Sequence, residues 1–287
     1  MGRIVYCEGA YVPEEEARLG IFNRGTLFGD AIYEVTVVLD GRMIDNEPHL
    51  DRLERSLVAL GIPMPLPRAG IEAVQHALIA RNGLTEGTVY LQISRGEADR
   101  DFLYPANMQP SFFAFTQRKA IRDTPAQQRG ISVALLADPR WARRDIKTTM
   151  LVGQVLAKRD ARADGFADVW FVEDGLVTEG ASSTAFIITH DGTIVTRPNS
   201  RAILAGCTRQ AVLALCARHG LVLEERGFTP DEAMAAAEAF QTGASSLVMP
   251  VVRIGAATIG DGAPGPMTRR LQHYYLEAAL GSGAGGS

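Results

Sequence analysis

The chain has 287 residues, 46% hydrophobic and 22% charged, which suits a folded globular protein of one large domain or two medium ones. A net charge of −4, with lysine and arginine scattered along the chain, gives no support to a nucleic-acid partner. Three widely spaced cysteines, Cys7, Cys207 and Cys216, form no CxxC pair and point to a reducing, cytoplasmic setting instead of a disulfide framework.

The first residues lack the apolar run of a secretory signal, and no stretch is long enough to span a bilayer. Five isolated histidines give no metal-ligand spacing, so no metal site is expected. Residues 281–287 read as a flexible tail.

In chain order, two short strands around Glu8-Gly9 are followed by a turn-rich stretch, residues 23–30, and a long strand over 31–39. Asp40-Gly41 turns the chain back on itself. Asn46 is a good N-cap, and Leu50, Leu53, Leu57 and Leu60 follow at helical spacing up to Gly61. His49 and Arg52 share a face of that helix, which on composition alone reads as solvated. A second helix covers 69–82, and strands cover 88–94 and 111–116. The charged loop between them carries Arg100, an ordinary surface charge unless a carboxylate-bearing substrate is involved. Domain boundaries are expected at 1–117, a polar linker at 118–129, and a second domain at 130–280.

The second half opens with a strand over 131–137 and then Trp141-Ala-Arg-Arg-Asp-Ile-Lys147. A helix over 149–163 is expected to use Leu151, Val155 and Leu156 as its core side. Thr178-Glu-Gly-Ala-Ser-Ser183 places an acidic residue on a small-residue loop. A strand-end lysine with a downstream carboxylate is what pyridoxal phosphate chemistry needs, one to hold the cofactor and one to hold the proton on its ring nitrogen. A later helix begins near Gly206-Cys207-Thr208, where free amides could hold a phosphate, although on the local pattern Thr208 reads better as a plain N-cap. Gly243-Ala-Ser-Ser246 is a second small-residue turn able to approach an anion.

Five stretches in this order, Arg24–Glu34, His49–Leu53, Asp145–Lys147, Thr178–Ser183 and Ile203–Arg209, resemble the fold-type IV pyridoxal phosphate enzymes, and most of all the D-amino acid aminotransferases. The resemblance covers residues 2–279 and implies an α+β, two-domain fold. The N-terminal domain would be an α/β sandwich and the C-terminal one barrel-like with flanking helices. It matches Lys147 to the Schiff-base lysine, Glu179 to the carboxylate facing the pyridine nitrogen, and Arg52 to the cofactor-phosphate arginine. Leu204 matches the residue packing on the cofactor ring. Gly206, Cys207 and Thr208 match the first phosphate site, with Ser183 among the cofactor-binding residues. Gly243 and Ala244 fall on a second phosphate turn, where Ala244 lacks the hydroxyl common in relatives and any such contact moves to Ser245. Tyr33 and Arg100 match two members of a substrate-carboxylate trap whose third member, a histidine, is Phe102 here. That departure bears on substrate range more than on reaction type.

The implied reaction is transamination between a D-amino acid and a 2-oxo acid by a homodimer, with pyridoxal 5′-phosphate as cofactor. Within the same fold the alternatives are an L-branched-chain aminotransferase, an (R)-amine transaminase and an aminodeoxychorismate lyase. Outside catalysis, the alternative is a silent cofactor-binding protein.

Overall fold

The computed structural model describes residues 2–281, so all but Gly281 of the expected tail lies outside the described residues. The chain forms two compact units, one of residues up to Ala120 together with Ile146–Met150, the other of Ile121–Asp145 and residues from Leu151 on.

The first unit is built on β1 (Ile4–Cys7), β2 (Ala10–Pro13), β3 (Ala31–Leu39), β4 (Arg42–Ile44), β5 (Glu86–Ser94) and β6 (Ser111–Arg118), in the sheet order β2-β1-β6-β5-β3-β4. Its helices are α1 (Arg24–Phe28), α2 (Asn46–Leu60) and α3 (Arg68–Arg81). The leucine stripe of α2 and Ile71, Val74 and Leu78 of α3 close over Ile32, Leu91 and Ile93 of the sheet in one core. Burial of such side chains, each contributing roughly 1.5–3 kcal/mol, outweighs the modest helix propensity of either segment. Asn46 is not the N-cap of α2. That position is Asp45, and the Asn46 amide instead exchanges two 3.1 Å hydrogen bonds with the amide of Gln75.

The second unit contains α4 (Pro125–Arg129), β7 (Ile131–Ala137), α5 (Val152–Ala163), β8 (Asp168–Glu173), β9 (Leu176–Gly180), β10 (Thr184–Ile188) and β11 (Ile194–Thr196). It continues through α6 (Cys207–Arg218), β12 (Leu223–Glu225), α7 (Pro230–Met234), β13 (Glu238–Gly243), β14 (Leu247–Ile254), β15 (Ala257–Thr258) and α8 (Pro266–Leu280). The sheet order β12-β11-β10-β13-β14-β7-β8-β9 curls until β9 approaches β10, a half-barrel. The expected linker is more ordered than its polarity suggests: β6 runs to Arg118, and α4 is nucleated by a capping box between Thr124 and Gln127. In α5 the buried face is Ala157 and Ala161, while Val155 and Leu156 are exposed, opposite to the expected core side. Small alanines let α5 pack closely on β7 and β8, where larger residues would hold it off.

Inside this unit the fully buried Trp170 donates its indole N–H to Gln241 Oε1 at 2.9 Å, and Gln241 Nε2 donates to Asp168 at 2.9 Å. Replacing Gln241 by leucine orphans the buried Trp170 N–H and one Asp168 oxygen, while the other oxygen keeps the Val169 amide and Lys158. A loss of about 1–3 kcal/mol for each group left unpaired is expected, measured as a lowered urea midpoint at unchanged slope.

Candidate active site

In the first unit, residues 146–150 run antiparallel to the start of β3. Tyr33 N donates to the Lys147 carbonyl at 3.1 Å, and Thr149 N to the Ala31 carbonyl at 3.1 Å. These bonds explain why Lys147 belongs to this unit and not to the expected 130–280 domain. Lys147 is half-buried, and its Nζ lies 4.3 Å from the centroid of the Tyr33 ring. Tyr33 stacks on Tyr90, and Tyr90 on Phe115, with centroids 5.6 and 4.8 Å apart, so the ring facing the lysine is backed by an aromatic ladder.

Side chains alternate along β3, so Glu34 points to the other face, into the core beside α2. There its carboxylate accepts from Arg52 Nε at 2.8 Å and Arg52 Nη2 at 2.7 Å, with His49 Nδ1 also at 2.7 Å. All three are buried, which corrects the reading of His49 and Arg52 as a solvated face. Burial pushes the Glu34 carboxyl up, but the Arg52 guanidinium and His49 overcome it and hold the group well below the usual carboxylate range.

In the second unit, Glu179 sits on β9, 4% exposed. Its Oε1 accepts from Arg140 Nη1 at 2.6 Å, and both oxygens lie 3.1 Å from the Leu204 amide. Burial nevertheless raises the Glu179 carboxyl above its ordinary range against the pull of Arg140 and the Leu204 amide, and the nearby Asp138 carboxylate, which shares Arg140 at 2.7 Å, adds to the rise. Asp138 is also buried, yet Arg140 and Arg144 beside it outweigh burial and keep it below the normal range. Of two carboxylates on one guanidinium, Glu179 is the one left with heightened proton affinity.

Two turns and a helix end converge nearby. Gly243 and Ser246 close a turn with a 3.2 Å hydrogen bond, and Ala244 and Ser245 are half-buried within it. A Cβ on Gly243 would stand 2.9 Å from Ser246 Oγ and 3.1 Å from the Ser182 carbonyl, so this turn abuts the 180–183 turn through a glycine. The N-cap of α6 is Gly206, with no side-chain cap, and Thr208 lies inside the first turn, which corrects the favoured reading of Thr208 as the N-cap. A Cβ on Gly206 would be 2.8 Å from Thr184 Oγ1. Thr184 is the register partner of Thr242 on β13, so both threonines share one face of the sheet. The hydroxyls of Ser183 and Thr242 are buried and have no hydrogen-bond partner among the described residues. Buried hydroxyls without a partner and an uncapped helix N-terminus are each features that suit an anion.

The Amino-transferase class IV family profile matches residues 31–254. The chain belongs to the class IV aminotransferases. This aminotransferase is 36% identical to a D-alanine aminotransferase of Bacillus licheniformis, over 96% of this chain and 97% of the relative. It is 32% identical to a D-alanine aminotransferase of Staphylococcus epidermidis, over 94% of this chain and 96% of the relative. Among solved structures, the branched-chain amino acid aminotransferase of Escherichia coli shares the fold with a TM-score of 0.91 at 21% identity, over 98% of this chain and 96% of that one.

Enzymes of this class use pyridoxal phosphate, and the residues of this aminotransferase fit that group. The orphaned Ser183 and Thr242 hydroxyls and the α6 amides suit a phosphate, and the proton-avid Glu179 suits a ring nitrogen. Leu204 contributes its backbone amide to Glu179. Arg52, matched to the phosphate by resemblance, has Nε and Nη2 committed to Glu34. Arg100 and Phe102 lie on the exposed loop between β5 and β6. Arg140, Asp138 and Thr242 escaped the sequence analysis. Arg140 sits in a stretch crowded with other arginines, whereas a hydroxyl immediately before Gly243 was a readable signal for Thr242.

Glu34→Gln should destabilise the first unit by up to about 3–5 kcal/mol at pH 7, since it removes the carboxylate charge that the buried Arg52 guanidinium faces. With the folded-state value depressed, Glu34 contributes stability above its unfolded value near ~4.3, and that contribution is lost as pH falls below it. Thermal midpoints of wild type and variant should therefore differ most at neutral pH and converge in acid.

Proposed function

We propose that this aminotransferase moves the amino group of a D-amino acid, of the D-alanine or D-glutamate kind, to a 2-oxo acid, with pyridoxal 5′-phosphate as its cofactor. The observation that carries the choice of substrate is the near full-length similarity to D-alanine aminotransferases, at 36% identity in one case. The solved branched-chain enzymes support the fold at 21% identity and leave the substrate open.

The bound cofactor supplies an electron sink and carries the amino group between the two half-reactions. Lys147 Nζ would hold the cofactor and would move the proton to and from the substrate's α-carbon. The aromatic ladder behind Tyr33 keeps a ring against that amine, limiting where it can swing. Glu179, its carboxylate fixed by Arg140 and the Leu204 amide, would hold the proton on the cofactor's ring nitrogen by a charge-assisted hydrogen bond. The amides of Gly206, Cys207 and Thr208, the Gly243–Ser245 turn, and the Ser183 and Thr242 hydroxyls would hold the phosphate, a role that the resemblance alone extends to Arg52. Arg100 and Tyr33 orient the substrate carboxylate. Among the described residues Arg100 has no ion-pair partner, and its guanidinium rests only on the Phe28 and Phe102 rings at 5.4 and 5.8 Å. By the same resemblance the working enzyme is a cytoplasmic homodimer.

The test is absorbance of the protein loaded with pyridoxal phosphate. D-alanine should deplete the visible cofactor band and L-leucine should leave it, while Lys147→Ala lowers turnover by at least about 10²–10⁴-fold. Depletion by L-leucine alone would move the assignment to branched-chain substrates. Thr242→Val should weaken cofactor retention roughly tenfold, the loss of one hydrogen bond to a charged group, followed as the band surviving dialysis.

A further inference from the structure

The loop between β5 and β6 is closed at its base by Gly96, whose φ of 108° lies in the left-handed region. A Cβ there would stand 2.0 Å from the Gln109 carbonyl oxygen, so the two ends meet backbone to backbone. Residues 99–107 are exposed, and such a tip would ordinarily sample many conformations. Here the tip is tied down. The buried Arg24 donates from Nη1 to the Asp101 carbonyl at 2.7 Å and pairs through Nε with Asp30 at 3.0 Å. The buried Arg95 takes the same Asp30 carboxylate at 2.7 and 3.1 Å, and the carbonyls of Leu60 and Gly61 at 2.7 and 3.0 Å.

One carboxylate thus serves two guanidiniums, leaving excess positive charge. Tyr104 answers it: its ring centroid lies 3.9 Å from the Arg95 guanidinium and 5.4 Å from that of Arg24. Arg24 also lies 4.4 Å from the Phe28 ring, on which Arg100 rests at 5.4 Å. The clasp and the arginine it presents are therefore one connected set of contacts.

We infer that Tyr104 is a positioning residue for substrate recognition. Docked on Arg24 and Arg95, it locks the loop so that Arg100 and Phe102 present a fixed guanidinium and ring to a carboxylate-bearing substrate. This rests on the reading of Arg100 given under Proposed function. Tyr104 is 49% exposed and seals no core, so its contribution goes to the order of the loop more than to the stability of the fold.

The experiment compares Tyr104→Leu, Tyr104→Phe and Arg100→Met as loaded enzymes, by steady-state kinetics on the accepted amino donor, thermal midpoint, and tryptic cleavage after Arg100. Tyr104→Leu should raise KM roughly five- to tenfold with kcat within about twofold, and should speed loop cleavage at a near-normal midpoint. Tyr104→Phe, which keeps the ring face, should retain the wild-type KM. A midpoint drop in Tyr104→Leu without a change in KM overturns the inference, as does an equal KM rise in Tyr104→Phe, which would assign the effect to the hydroxyl. If Arg100→Met itself leaves KM unchanged, the reading of Arg100 fails and takes the inference with it. If Arg100→Met raises KM and Tyr104→Leu does not, only the inference fails.

Discussion

The pleat of β3 is the constraint on which the first unit turns. Because successive side chains on a strand point to opposite faces, Tyr33 and Glu34 are forced apart although adjacent. One faces the lysine and the other anchors α2 through Arg52 and His49. The same strand pairs with residues 146–150 at its start and is preceded by Asp30, the carboxylate shared by Arg24 and Arg95. A one-residue slip in the β3–β5 register would move Glu34 out of the core and Tyr33 into it. The buried ion pair, satisfied in only one register, specifies the alignment as well as stabilising it.

Each unit treats buried charge differently. Around Glu34 the guanidinium and the histidine both bond its carboxylate, which stays ionised well below the usual range. Around Glu179 one guanidinium is divided between two carboxylates, and burial leaves Glu179 with raised proton affinity. The first arrangement suits a structural anchor. The second suits a partner for a protonated ring nitrogen.

Much of the fold was legible because local signals and burial agreed. The leucine stripe of α2, the turn at Asp40-Gly41 and the strands flanking them follow from periodicity and turn chemistry. The expectations that failed are those where a local preference met a stronger tertiary partner. Asn46 gave up a capping role for the amide of Gln75, and His49 and Arg52 left the solvated face for Glu34. In α5 the larger apolar residues face outward because only alanines fit against β7 and β8.

By itself the sequence determined the element types, the family, and the candidate lysine, carboxylate and glycine turns, because these depend on short-range spacing and residue chemistry. Tertiary structure alone decided which unit holds Lys147, that Arg140 and Asp138 tune Glu179, that Thr242 joins Ser183 as an unpaired hydroxyl, and that Tyr104 clasps the loop bearing Arg100. Those facts rest on contacts between residues distant in the chain, such as the 39-position separation of Arg140 and Glu179. The strength of such contacts depends on burial and shared partners, neither of which is written in any local stretch of sequence.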